Sequence, residues 1–537
     1  MPAHQPYLHS PQSERIKIAE EMEGKDPDAQ IKLADAFLAR YPQDPYANFI
    51  RAAAQFSSDD NLASVPFAQV AVQNGNFEPE YVSLLLRIYL EYRFFEQIEK
   101  VLSVALKHPA TSDDLEFHIG RYYARIAQSE NAVKHFRNAL ALSPSAALKT
   151  NILWELFSVY GNSDQKEEAK GVLREIALID SERPLVLLHL AEGAKDEERA
   201  NLETEISKFL EVDAERLTDS EKSKLHLGLG RLQEKRKDHA AAFASWQRSR
   251  ALAGVEYRPA DIEHNVKELK KIYTAELFER TKPFSSSSEA PVFVFGMPRS
   301  GTTLVAQILS THPDAASSGE IGRLQHEAQI FLQRYFVSGG LKQLLADSQK
   351  GEISGRVYDF LHLCEVMAGR KAKHYVDKTP TQFYSAGYIH LCFPKVRFIN
   401  LVRHPADIFI STYQNDFQAS FTYAFGQETF AHYYLQRELI IAHWKKLFGH
   451  LILDVRYEEL TADPEAQVRR ILDFLGLEWD PACLKFFERP AMINTFSRDQ
   501  VRSSINTKSV GRWRNYEAHL GPLFEALQKG GVELPSH

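Results

Sequence analysis

The segment 291–303, PVFVFGMPRSGTT, constrains this chain more than any other stretch. Val292, Phe293, Val294 and Phe295 make a continuous apolar run, which suits a strand buried on both faces. Gly296 ends the run, and 302–310, TTLVAQILS, then places Leu304, Ile308 and Leu309 at helical spacing. A strand, a glycine loop and a helix with nothing between them make a phosphate cradle. Loop N–H groups and the helix N-terminus converge there on one anion. The spacing from Gly296 to Thr303 fits G-x-x-x-x-G-[K]-[ST] except at the lysine, where Thr302 stands. The anion site is therefore expected to be kept and the triphosphate clamp lost. Arg299 adds a cationic fork inside the loop. A plain glycine turn would need none of Arg299, Ser300, Thr302 or Thr303, so these residues and Gly301 are candidate anion ligands.

At 537 residues the chain has room for two to four domains. A formal charge of −7 argues against general binding of nucleic acid or anionic membrane, and leaves room for a local basic pocket. Cys364, Cys392 and Cys483 lie too far apart for a disulfide framework or a metal site, which fits a reducing cytosol. His374, His390, His443 and His450 have no metal-ligand spacing either. The opening MPAHQPYLHSPQSERIKIAEEM has no apolar core for a signal peptide, and no stretch reaches the ~18 apolar residues that span a bilayer. The expectation is a cytoplasmic protein without metal, nucleic-acid partner or membrane span.

Residues 1–27 are polar and read as a partly disordered segment. Residues 28–280 read as amphipathic helices joined by short turns, with no convincing strand. Gly120, Tyr123, Ala132, Phe136, Ala139 and Pro144 occupy the small, aromatic and proline positions of a tetratricopeptide repeat. Gly230, Ala242, Trp246 and Ser249 repeat part of that pattern. The fold expected is an all-α helical-repeat (TPR-like) solenoid followed by an α/β P-loop-like domain with a parallel sheet. Residues 281–290, TKPFSSSSEA, read as a flexible linker between two folding units. Residues 291–537 alternate strand and helix, with further strands at 374–378, 396–402 and 451–455. Ligands of such sheets bind at the carboxyl ends of the strands. His312 and Pro313 turn the chain back after the loop helix, which lets Glu320 return beside those ends.

The motif GMPRSGTTL resembles the phosphosulfate loop of sulfotransferases, which use 3′-phosphoadenosine 5′-phosphosulfate (PAPS). The C-terminal half is similar to the tyrosylprotein sulfotransferase branch, and the whole chain resembles bacterial tetratricopeptide-repeat sulfotransferases. The resemblance implies that Arg299, Ser300, Gly301, Thr302 and Thr303 hold the 5′-phosphosulfate. It implies that Arg403 and Ser411 grip the 3′-phosphate and that Tyr457 contacts the nucleotide. The stretch 497–506, SRDQVRSSIN, matches a segment that closes over PAPS, with Ser497 as a transition-state serine and Asn506 at a cofactor-binding position. Arg512 replaces a cofactor-binding lysine, and Asn415 stands where the family has a second arginine. Lys378 matches the lysine that assists the leaving group, and Glu320 the catalytic base, although Ile321 follows where the family often has a second glutamate.

The function so implied is PAPS-dependent transfer of a sulfuryl group to a hydroxyl acceptor. The acceptor classes are a peptide tyrosine, a carbohydrate, a lipid or a small phenol. Two rivals stand beside it. One is a repeat scaffold fused to an inactive nucleotide-binding domain, and the other a P-loop kinase, which Thr302 disfavours. The repeats offer a surface for a protein partner or for self-association.

Overall fold

The structure, a computed structural model, describes residues 11–22, 24–57, 61–179, 182–212, 215–337, 352–416, 419–488 and 504–532. The chain divides into two compact units, Met1–Leu173 and Arg174–His537.

The first unit is helical. Helices Pro27–Leu38 and Pro45–Phe56 start where the sequence supplies a cap. Asp26 and Asp44 each accept a hydrogen bond from the N–H three residues on, and a proline follows each at the first helical position. Helices Asp113–Arg125 and Ser129–Ala141 form a hairpin in which Gly120 lies against the Phe136 ring. A Cβ on Gly120 would come within 2.6 Å of that ring, so only glycine lets the helices approach this closely. The turns between successive helix pairs share a left-handed residue: Arg93 at φ 56°, Ala127 at 60° and Asp164 at 64°. Helix Gln12–Met22 buries Ile18 and Met22 against Ala34, Phe37 and Ala47, and Arg15 pairs with the buried Asp44 at 2.7 Å.

After the end of helix Lys166–Ile176, the described residues of the second unit run through helices Arg183–Gly193, Asp196–Glu211, Asp219–Lys235, His239–Leu252, Pro259–Ile272 and Ala275–Thr281. The same hairpin turn recurs at Lys237, φ 65°, and Gly230 lies against Trp246 as Gly120 does against Phe136. Among the described residues five strands follow: β1 Pro291–Gly296, β2 Ala315–Gly319, β3 His374–Lys378, β4 Arg397–Val402 and β5 Ile452–Arg456. They pair in parallel in the order β2-β3-β1-β4-β5. This is the expected helical region followed by a parallel α/β sheet. β2 has no counterpart in the sequence reading, because AASSG carries no branched or aromatic residue.

Every residue of β1 is buried, and its side chains alternate between two cores. Val292 and Val294 join Val305, Ile308, Leu309, Ile471 and Leu475 from helices Thr302–Ser310 and Pro464–Leu475. Phe293 and Phe295 stack into a second, aromatic layer with Phe360, Phe398 and Phe383. The serine-rich stretch 285–288 runs along the sheet region, with the Ser286 N–H donating to the Cys392 carbonyl at 2.9 Å. Among the described residues no helix is long and apolar enough to cross a membrane.

Two buried histidines set an expected pH response. Burial pulls His118 down to about 4, against the raising effect of Asp114 and with Arg121 and Arg87 adding to the fall. Burial does the same for His390, between the Phe278 and Phe448 rings, and His450 adds to it. The unfolded chain therefore binds these protons first as pH falls. The stability is complete above pH 6.5, the ordinary value, and is lost towards pH 4. The loss should reach about 2 kcal/mol per histidine by pH 5. Urea midpoints at pH 7 and pH 5 check it, and His390→Phe should flatten the dependence for the sheet-bearing unit. Equal midpoints at the two pH values would contradict it.

Candidate active site

The site begins where β1 stops. Gly296 lies against the Leu401 carbonyl of β4 and the Ser300 hydroxyl, and a Cβ there would meet them at 2.7 and 2.6 Å. The loop then uses two left-handed residues, Arg299 at φ 72° and Gly301 at 105°, to aim helix Thr302–Ser310 at its own mouth. Arg299 holds this conformation without being glycine, a strained state that clusters at ligand-binding loops. Thr302 and Thr303 are the first two helical residues and are buried. The Tyr457 ring packs on Gly301, where a Cβ would meet it at 2.5 Å.

Arg403, at the end of β4, crosses this loop. Its guanidinium lies 4.4 Å from the Tyr457 ring centroid and donates to the Arg299 carbonyl at 2.8 Å and the Ser509 carbonyl at 2.5 Å. Tyr457 OH and Ser509 Oγ are 2.7 Å apart. Arg299 Nε donates to Ser411 Oγ at 2.9 Å. The fold thus joins Arg299, which the sequence reading assigned to one phosphate, with Arg403 and Ser411, assigned to another, and Tyr457, assigned to the nucleotide. Burial, with the charges of Arg403 and Arg512 behind it, pulls the Arg299 pKa down to about 10. A cluster of cations that disfavour one another is a place where an anion is stabilised.

Among the described residues, Ser300 Oγ and Arg403 Nε in this cluster are buried and have no hydrogen-bond partner. Buried donors of this kind normally have partners, so their orphaning at a cationic loop marks a ligand position.

On the other side of β1, β3 ends at Lys378, which lies opposite Val294 in the register. Its side chain is only 4% exposed, and its ammonium forms an ion pair with Glu320, just beyond β2. Glu320 is 41% exposed, so the pair has one buried and one open end. Asp377, the neighbour that a plain surface lysine would use, is instead buried and accepts from Thr379 Oγ1 at 2.8 Å.

The late segment is only partly engaged. Ser497 lies outside the described residues. Asn506 is exposed and bonds locally, donating to the Ser504 carbonyl and accepting from the Lys508 N–H. Arg512 is bound by Glu234 and by Gln414 Oε1, at 2.7 Å for the latter. Burial opposes its charge, but Glu234 outweighs that and raises its pKa. The sequence reading missed Asp407. Its two carboxylate oxygens accept from the Gly511 and Trp513 N–H groups at 2.7 and 3.0 Å, and so fasten this segment beside Arg403. Asp407 sits in the first turn of helix Pro405–Tyr413, where an acidic residue reads as a dipole partner. Nothing in its spacing announces the second role.

A sequence model described as "Sulfotransferase family" matches residues 291–481. A protein of Aquifex aeolicus (strain VF5), named only as uncharacterized, is 30% identical over 71% of this chain and 51% of its own length. Protein-tyrosine sulfotransferase 2 of Gallus gallus is 26% identical over 45% of this chain and 70% of its own. The chain therefore spans about half of the first relative and 70% of the second. Among solved structures, the sulfotransferase domain of the Synechococcus PCC 7002 olefin synthase aligns with 47% of this chain and 98% of that domain. The alignment has 19% identity and a TM-score of 0.33. The match begins at the first residue of β1 and takes in the loop, Glu320, Lys378, Arg403, Ser411 and Tyr457. Residues 291–481 are a sulfotransferase-family domain.

Proposed function

We propose that this chain is a PAPS-dependent sulfotransferase acting on a hydroxyl acceptor. The observation that carries the proposal is the Lys378–Glu320 pair at the strand ends beside the cationic loop. The loop fits the donor substrate: Ser300 Oγ and Arg403 Nε are buried donors that have no partner among the described residues. Arg299, Ser300, Gly301, Thr302 and Thr303 would hold the 5′-phosphosulfate at the helix N-terminus. Arg403 and Ser411 would hold the 3′-phosphate, with Tyr457 against the nucleotide.

PAPS brings a sulfuryl group already attached to a good leaving phosphate. The chain must remove a proton from the acceptor hydroxyl and steady the charge that grows on the departing oxygen. Glu320 is the open carboxylate and takes the proton. Lys378 is the buried ammonium and stabilises the departing oxygen more in the transition state than before it. As Glu320 is protonated, its hold on Lys378 weakens, which turns the ammonium towards the leaving side. In this reading Ser497 is the transition-state serine, and Asn506 and Arg512 complete the donor site. A peptide tyrosine is the acceptor favoured, on the similarity to a protein-tyrosine sulfotransferase. A cytoplasmic location belongs to this reading, because a reducing compartment suits the widely spaced Cys364, Cys392 and Cys483.

Two measurements test this. Adenosine 3′,5′-bisphosphate should raise the melting temperature of the full chain, since a ligand selective for the folded state stabilises it. Labelled PAPS, offered with tyrosine peptides, carbohydrates, lipids and phenols, should label one class, and labelled ATP none. Arg299→Ala should weaken bisphosphate binding on the order of 10- to 100-fold, the worth of a charge-assisted hydrogen bond. Unchanged affinity and unchanged activity in Arg299→Ala would sink the assignment of the loop.

A further inference from the structure

We propose that helix Asp219–Lys235 is part of the nucleotide site and that Arg231 is a second guanidinium, after Arg403, for the phosphate held at Arg403 and Ser411. The inference rests on the donor-site reading above. Asn415 lies one turn beyond Ser411 and donates from Nδ2 to the Ser411 carbonyl at 2.6 Å. The other end of the same amide, Oδ1, accepts from Arg231 at 3.3 Å. Ser411 in turn accepts from Arg299 at 2.9 Å. Arg231, Asn415, Ser411 and Arg299 therefore form one connected line that ends at the loop.

The chemistry of that line is incomplete without Arg231. A phosphate with two negative charges needs cations, and Asn415 brings only a neutral amide. Arg231 brings a planar fork, 11% exposed, already directed at the residue beside Ser411. Its present partners are Asn415 and Glu192, the latter at 3.2 Å. Glu192 also acts on Arg299 through its charge, which places this ion pair within electrostatic range of the loop. A phosphate oxygen can take over from Asn415 Oδ1 as the acceptor while Glu192 keeps the guanidinium in position. One turn further along the same helix, Glu234 binds Arg512 and accepts from Tyr516 OH at 2.8 Å. The helix thus meets the site at two points, with a cation at one and an anion at the other.

The test uses the full chain and two ligands that differ only in the 3′-phosphate: PAPS and adenosine 5′-phosphosulfate, titrated without acceptor at one salt concentration. Arg231→Ala should bind PAPS on the order of 10- to 100-fold more weakly and adenosine 5′-phosphosulfate as the wild type does. Arg231→Lys keeps the pair with Glu192 and the fold, and should still lose more for PAPS than for adenosine 5′-phosphosulfate, because an ammonium cannot reproduce the fork. Equal losses for the two ligands would mean that Arg231 only braces the structure, and would overturn the proposal. So would undiminished PAPS binding in both variants. A wild-type chain that binds neither ligand refutes the donor-site reading itself, which separates the two failures.

Discussion

Glu320→Gln should lower turnover on the order of 10²–10⁴-fold while leaving bisphosphate affinity unchanged. The amide keeps the shape of the carboxylate and still offers Lys378 an oxygen, so the fold and the donor site have no reason to move. Only the basicity is gone. Glu320→Ala should behave differently. Lys378 is 4% exposed, and removing its carboxylate leaves a buried ammonium without that charge partner. Removing the charge partner of a buried ammonium is destabilising, so the alanine variant should also melt earlier. Lys378→Ala should slow turnover with bisphosphate binding intact, since its role falls in the transition state. Single-turnover rates, with chemistry shown to limit them, and thermal melts separate these cases. A Glu320→Gln enzyme that works at the wild-type rate on a true acceptor would assign the base to another residue.

A chain beginning at Ser286 should fail to fold cooperatively, whereas one beginning at Arg174 should melt as a single unit. The serine-rich composition of 281–290 suggests a boundary there, yet the aromatic core runs across it. Tyr273 is fully buried against Trp444 and Phe278, and its carbonyl meets His443 Nε2 at 2.9 Å. A Cβ on Gly387 would meet both Tyr273 and Trp444 at 2.7 Å, so these groups are tightly packed. Phe243 stacks on Tyr413, and Trp246 packs on Tyr516. Arg250 donates to the Tyr413 carbonyl at 2.6 and 3.1 Å at the end of the helix that carries Ser411. Burial lowers the Arg250 pKa to about 10, so this is a buried cation held by carbonyls. Deleting residues before Ser286 would uncover Tyr413, Trp444 and Tyr516 together. Each such side chain is worth roughly 1.5–3 kcal/mol of burial, and a domain has only about 5–15 kcal/mol in total. Circular dichroism melts of the two shortened chains decide it. A sharp transition in the chain from Ser286, near that of the longer one, would restore 281–290 as a folding boundary.

The sequence by itself determined the elements whose signal is local. The run 292–295 reads as a strand buried on both faces and is one, and Gly296 and Gly301 read as the bounds of the loop that follows it. Gly120 and Phe136 declared a close helical hairpin, because a small residue facing a large one at fixed spacing has one use there. β2 and helix Gln12–Met22 escaped notice for the converse reason. AASSG and QSERIKIAEEM have weak patterns, and they form because β3 and the Ala34–Phe37 face are there to receive them.

The candidate site divides in the same way. Arg299, Ser300, Thr302 and Thr303 are contiguous, so their convergence follows from one loop. Lys378 and Glu320 are 58 residues apart, Asp407 and Gly511 are 104 apart, and Arg512 and Glu234 are 278 apart. No periodicity connects such residues. Parallel strands force long crossovers, so the order β2-β3-β1-β4-β5 decides which strand ends become neighbours. That order put Glu320 beside Lys378. The packing of helix Asp219–Lys235 within the same unit brought Arg231 to Asn415 and Glu234 to Arg512. Residue spacing fixes what each segment can become, and only the closed tertiary structure, by burying those segments against one another, decides which charges have to meet.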